Sequence, residues 1–168
     1  RDINFKEHRV IVLHQDDWHP GVIGIVASRI VERFYRPAIL LSSIGDGMIK
    51  GSGRSIDNFH LFAALEKCEE YLEDFGGHRR ACGLSIRKVH LNNFRDAIND
   101  YALNVVSKDA FTPALNIDAE IPLSLLDETL ISQIQAFGPF GSENPRPVFV
   151  TRAVSVKTKP QVLGKNTL

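Results

Sequence analysis

Residues 76–83 read Gly-Gly-His-Arg-Arg-Ala-Cys-Gly, and no other stretch restricts the fold of this chain as much. Paired glycines interrupt the helical pattern before them. The charges that follow cannot enter a core, and small residues then open a strand. Glycine permits positive φ and lets another molecule approach the backbone closely. Exposed N–H groups in such a turn form a concave anion site, and arginine adds a fork that matches phosphate. His78 adds a donor whose charge changes near neutrality. Two readings are open at this point. One is a phosphate site; the other is a helix C-cap, in which Gly76 ends the helix and the charges are merely solvated.

Residues 50–55, Lys-Gly-Ser-Gly-Arg-Ser, place two glycines, two hydroxyls and two cations just before another helical pattern. That composition suits an oxyanion held by N–H, hydroxyl and guanidinium groups. It is not a P-loop, because the Gly-x-x-x-x-Gly-Lys-Ser/Thr order is absent. The alternative is a flexible turn between strand and helix. Two Gly/Arg clusters flanking one helix leave a shared anion site and two ordinary turns equally open.

Composition sets outer bounds. A chain of 168 residues holds one ordinary domain, or one plus part of another. Its 43% hydrophobic content with mixed charge describes a soluble globular protein. The net charge is zero, so any nucleic-acid contact must come from a local patch. Cys68 and Cys82 lack Cys-x-x-Cys partners, which speaks for a reducing compartment and against a zinc ribbon. Neither a signal-peptide core nor an apolar run of membrane-spanning length is visible. A cytoplasmic protein without membrane contact is expected.

The expected fold class is α/β: a mixed sheet flanked by helices, followed by a truncated β-rich segment. Arg9–His14 and Ala38–Leu41 read as strands buried on both faces. Between them Val22, Ile23, Val26, Ile30 and Phe34 recur at helical spacing, with Pro20 in the first turn. Met48–Ser55 reads as a further strand. Asp57 or Asn58 would cap a helix whose stripe is Leu61, Leu65, Cys68 and Leu72, ended by Gly76-Gly77. A short strand Leu84–Ile86 precedes a helix marked by Leu91, Phe94, Ile98, Tyr101 and Val105. Ala114–Ile121 alternates like a half-buried strand, Leu123–Ala136 reads as a helix, and Phe137–Pro147 is a turn-rich connector. Val148–Val156 gives one or two strands, and Val162–Gly164 leads into a hairpin. The expected division is 1–108, a connector over 109–147, and 148–168. The pattern stops in mid-course, so the chain is expected to be a fragment.

Gly77-His78 with Ala81 and Gly83 resembles the Gly-Gly-His-x-x-Ala-Ala-Gly motif of the DHH-associated domain in the DHH phosphoesterase superfamily, with Cys82 in place of the second alanine. Trp18–Arg29, Arg36-Pro37, Lys50–Ser55 and Phe137-Gly-Pro-Phe-Gly…Asn144-Pro-x-Pro-x-Phe149 are similar to the RecJ family of single-strand-specific exonucleases. The resemblance covers essentially the whole chain. It implies a substrate-binding domain, then the start of an oligonucleotide-binding fold, in an enzyme that degrades single-stranded DNA from its 5′ end in repair and recombination. It implies two divalent metals, Mn2+ or Mg2+, held in a separate DHH domain and acting by in-line displacement. It leaves open whether other repair proteins are partners.

No Asp-His-His triplet occurs here, and the six histidines are scattered. Asp16-Asp17 beside His14 and His19 are read as acidic residues before a helix N-terminus rather than as metal ligands. This chain is therefore expected to hold no metal and no catalytic residue. The resemblance places Arg54 and Ser55 on the terminal or scissile phosphate. Gly77 would allow the phosphate to approach, and His78 would donate to it. Ser52, Arg79 and Arg80 are further candidates. Trp18 is read as packing rather than base stacking. Two alternatives remain: a small phosphoesterase acting on oligoribonucleotides or nucleotides, and a non-catalytic nucleic-acid-binding or assembly module.

Overall fold

The structure, a computed structural model, describes residues 8–141 and 143–157. The chain divides into two compact units, residues 1–113 and 114–168.

In the first unit five strands form one mixed sheet. In chain order the elements are β1 (Ile11–Gln15), α1 (Ile23–Phe34), β2 (Ala38–Gly45), β3 (Met48–Arg54), α2 (Leu61–Glu66), β4 (Leu72–His78), β5 (Ala81–Arg87) and α3 (Leu91–Val105). The spatial order is β1-β2-β3-β5-β4. Only β1 and β2 run parallel, joined through α1; the other pairs are antiparallel. Central β2 is buried on both faces, which explains its unbroken apolar run. Ile39 and Leu41 join Ile49, Leu84 and Ile86 on the inner face, under Leu61 and Leu65 of α2 and Phe94 and Ile98 of α3. Ala38 and Leu40 face the other way and pack with Ile11, Ile23 and Ala27 under α1. Trp18 packs on this second cluster, as expected.

Several elements depart from the expected pattern. The stripe of α1 is rotated: Ile23 and Ala27 are buried, whereas Val22, Val26 and Phe34 are exposed. Helix α2 stops at Glu66, a short 3-10 turn covers Glu69–Tyr71, and Leu72–His78 is a strand, so Gly76-Gly77 caps no helix. A register shift between Leu72 and Asp74 leaves Leu72 and Phe75 partly buried against the core, an i, i+3 spacing that imitates a helix. The cap of α2 is His60, whose Nδ1 accepts from the Ala63 amide at 3.1 Å, not Asp57 or Asn58. Asp16 precedes no helix start: α1 begins at Ile23 with no acidic residue in its first turn. Asp16 instead accepts from Lys88 Nζ at 2.9 and 3.1 Å and from the Ser43 hydroxyl.

Edge strand β1 is covered by α3. Asn99 presents Oδ1 to the Val10 amide at 2.9 Å and Nδ2 to the Val10 carbonyl at 3.2 Å. Arg95 Nε donates to the Val12 carbonyl at 3.2 Å. These side chains replace a neighbouring strand for backbone groups that would otherwise be unpaired.

In the second unit Ala119–Glu120 (β6) pairs in parallel with Phe149–Val150 (β7), with helix α4 (Glu128–Gln135) between them in sequence. The expected strand over 114–121 shrinks to two exposed residues, and that over 148–156 to β7. The expected helix over 123–136 shortens to α4, preceded by a 3-10 turn and capped by Asp127. The connector is irregular, as its prolines and glycines require. Asn144 Nδ2 ties it by donating to the carbonyls of Phe137 (2.9 Å) and Pro139 (3.1 Å). The expected hairpin at Val162–Gly164 lies outside the described residues. Among the described residues no helix is long and apolar enough to cross a membrane.

Candidate functional site

Paired residues of a sheet share a face, and faces alternate along each strand. Register therefore decides which candidates meet. Arg54 pairs with Ala81, and Ala81 with His78. Ser52 pairs with Gly83, and Gly83 with Gly76. Lys50 pairs with Ser85, and Ser85 with Asp74. These three rows cross β3, β5 and β4 on the outer face, with the start of α1 lying over their β3 end at Arg54 and Ser52. Arg54 and His78 thus share one face, two strands and about 10 Å apart. The middle row is nearly bare: a Cβ on Gly76 would meet nothing within 4 Å, and one on Gly83 only the Gly51 carbonyl at 4.0 Å. The result is a shallow trough floored by two glycines and Ser52, with Arg54 and His78 on one bank and Lys50 and Asp74 on the other. Where β3 passes the start of α1 the trough deepens into a cleft of ≈ 400 Å³. Pro20, Gly21, Ile23, Lys50, Gly51, Ser52 and Gly83 line it.

Arg54 is held in place. Its Nη1 donates to Ser52 Oγ at 3.0 Å and to the Gly53 carbonyl at 2.8 Å. Above it Gly24 of α1 has no room for a side chain: a Cβ there would lie 3.0 Å from both Arg54 Nη2 and Ser52 Oγ. The start of α1 has no side-chain cap, so its first amides add partial positive charge to that end of the cleft. An oxyanion above Ser52 would meet a hydroxyl and a pre-oriented guanidinium.

The remaining candidates make contacts within the scaffold. Ser55 follows β3; its hydroxyl donates to the Phe59 carbonyl at 2.9 Å, and its amide to the Arg80 carbonyl at 2.9 Å. Arg79 Nη2 donates to the Asp57 carbonyl at 2.7 Å, and Arg80 forms an ion pair with the Asp57 carboxylate. The tip of the β4–β5 hairpin is thereby fastened to the loop between β3 and α2. Gly77 has φ +135°, and a Cβ there would lie 2.3 Å from the Ala81 carbonyl oxygen. Its glycine is required by the neighbouring strand. Gly51 and Gly53 face the core, where a Cβ would strike Leu41 (2.6 Å) and Leu61 (2.8 Å) respectively. Cys82 lies under the hairpin, its thiol pushed up by burial and donating to the His78 carbonyl at 3.2 Å.

Register also brings in residues that lie within the motifs but were not expected at the site: Lys50, Gly76, Gly83 and Gly24. Alternation along Lys50-Gly-Ser-Gly-Arg is the signal that carries the first, because it puts both cations and Ser52 on one side.

A five-stranded mixed sheet with α2 and α3 on one face and, on the other, α1 beside a polar, glycine-floored strip defines the class. Over residues 7–104 the chain matches the DHHA1 domain, and it belongs to that family. Residues 117–168 match the RecJ OB domain. The relatives are single-stranded-DNA-specific exonucleases named RecJ. That of Bacillus subtilis is 38% identical over 150 residues, 88% of this chain and 19% of the relative. That of Escherichia coli is 32% identical over 143 residues, 83% of this chain and 25% of the relative. The crystal structure of RecJ in complex with Mn2+ from Thermus thermophilus superposes with a TM-score of 0.73 at 30% identity, covering 86% of this chain and 21% of that one. The same protein is also known in complex with Mg2+. The chain thus spans about a fifth to a quarter of the length of these relatives. Among the described residues no group of three or more His, Cys, Asp or Glu side chains could hold a metal ion. These residues do not fit a divalent-metal centre.

Proposed function

We propose that this chain is the substrate-binding part of a single-stranded-DNA-specific exonuclease that works in the 5′–3′ direction, in the cytoplasm, during DNA repair and recombination. Arg54 and Ser52 hold the phosphate of the 5′ end, His78 donates across the trough, and the bare floor admits the sugar and base. The second unit, which matches the RecJ OB domain, binds single-stranded DNA as well. Hydrolysis belongs to a DHH domain elsewhere in the longer protein, where two Mn2+ or Mg2+ ions activate the attacking water. This chain contributes binding and orientation. The observation that carries the reading is the register that places Arg54, Ser52 and His78 around a side-chain-free floor on one exposed face.

The test uses Arg54→Ala. A terminal phosphate is close to dianionic, and an arginine fork pairs with it better than with an internal diester. Losing that contact is expected to cost on the order of 1.5–3 kcal/mol, about tenfold to a hundredfold in affinity for a 5′-phosphorylated oligonucleotide. Binding of the 5′-hydroxyl oligonucleotide should change less. A variant that melts like wild type and keeps the wild-type preference for the 5′-phosphate would refute end binding.

A further inference from the structure

The outer face carries a second cation that end binding leaves unused. Lys50 lies on β3 four residues before Arg54, on the same face, exposed, and at the border of the cleft. The neighbouring cations are engaged. Arg54 is held by Ser52 and Gly53, and Arg79 and Arg80 by Asp57. Arg87 pairs with Glu73, and Lys88 with Asp16. The Lys50 side chain has no hydrogen bond or ion pair among the described residues.

Its spacing from Arg54 is informative. Alternate Cα atoms of a strand are separated by as many backbone bonds as the phosphates of successive nucleotides. An extended single strand laid along β3 therefore advances one nucleotide for every two residues, about 6.7 Å. The Arg54 guanidinium turns back onto Ser52 Oγ at 3.0 Å, so these two groups share the terminal phosphate, and Lys50, two residues before Ser52, stands at the next nucleotide step. Gly51 and Gly53 between them send nothing outward, so the three groups form an uninterrupted polar line.

We propose that Lys50 is a second phosphate-binding position. It takes the diester phosphate one nucleotide step inside the end held at Arg54 and Ser52, so that β3 tracks the sugar–phosphate backbone of a single strand. The assignment rests on the end-binding role of Arg54 and goes beyond it in giving the site a length.

Calorimetric titration of this chain with thymidine 5′-monophosphate and a 5′-phosphorylated thymidine octanucleotide tests it. The monophosphate has no second phosphate to place at Lys50. Lys50→Gln is expected to leave monophosphate binding unchanged and to weaken octanucleotide binding about tenfold. The slope of log affinity against log salt for the octanucleotide should fall by about 0.7. Equal loss on both ligands would put Lys50 in the end site and overturn the proposal, as would no loss on the octanucleotide while Arg54→Ala still weakens both. Arg54→Ala without effect on either ligand would instead overturn the end-binding reading itself. Wild-type melting of Lys50→Gln excludes unfolding as the source of any loss.

Discussion

At the scale of single residues, the two glycines of the Gly-Gly-His motif do different things. Gly77 is locked by its positive φ and by the Ala81 carbonyl, whereas Gly76 faces open space. Gly77→Ala should therefore destabilise the first unit by about 3 kcal/mol through backbone strain and overpacking. Gly76→Ala should change stability by no more than about 0.5 kcal/mol. It should weaken oligonucleotide binding, because its methyl group rises from the trough floor. Chemical denaturation and titration of both variants check this; equal stability losses would remove the distinction. His14 makes a separate prediction. Burial holds its pKa below the ordinary 6.5, against the pull of Asp16 and together with the repulsion of Lys88 and Arg95. The unfolded chain then binds a proton more readily than the native one, so this stabilisation is present above pH 6.5 and is lost as the pH falls. Urea unfolding at pH 7.5 and 5.5 should show a smaller loss for His14→Gln than for wild type. Identical losses would show that His14 does not set this dependence.

At the scale of elements, strand β1 depends on a helix for its outer edge. Asn99 is buried in α3 and serves both backbone groups of Val10. Asn99→Leu leaves that N–H and C=O unpaired inside the protein, at about 1–3 kcal/mol for each unsatisfied group. Denaturant unfolding should register the loss, and amide exchange at Val10 should accelerate. A stability unchanged from wild type would mean that the edge finds other partners. The hairpin β4–β5 has a different support. Its arginines reach Asp57 from exposed positions, where an ion pair contributes roughly 0–1 kcal/mol. The backbone bonds from the Ser55 and Leu61 amides to the hairpin carbonyls fix its tip more firmly.

At the scale of the whole molecule, two units follow each other along the chain, and neither contains a metal cluster among the described residues. The chain by itself is accordingly expected to bind single-stranded DNA without degrading it. Incubation with Mn2+ and 5′-labelled single-stranded DNA should release no mononucleotides. Metal-dependent release in proportion to purified chain would relocate the active centre into this chain. The Cys68 thiol is pushed up to about 11 by burial and contributes to the core.

The amino-acid sequence alone determined the β1–α1–β2 unit, the long helix α3 and the polar character of both Gly/Arg segments, because these depend on local periodicity and composition. It also carried the family, through motifs whose residue types are restricted at fixed spacing. Tertiary structure decided the rest. Whether Leu72–His78 becomes helix or strand depends on its pairing with β5, which local spacing cannot report. The same pairing turned Ser55, Gly77, Arg79 and Arg80 toward scaffold contacts and left Arg54, Ser52 and His78 on the outer face. Lys50 and Gly24 joined them because register and packing, which link residues distant in sequence, bring a helix start and three strand rows to one place.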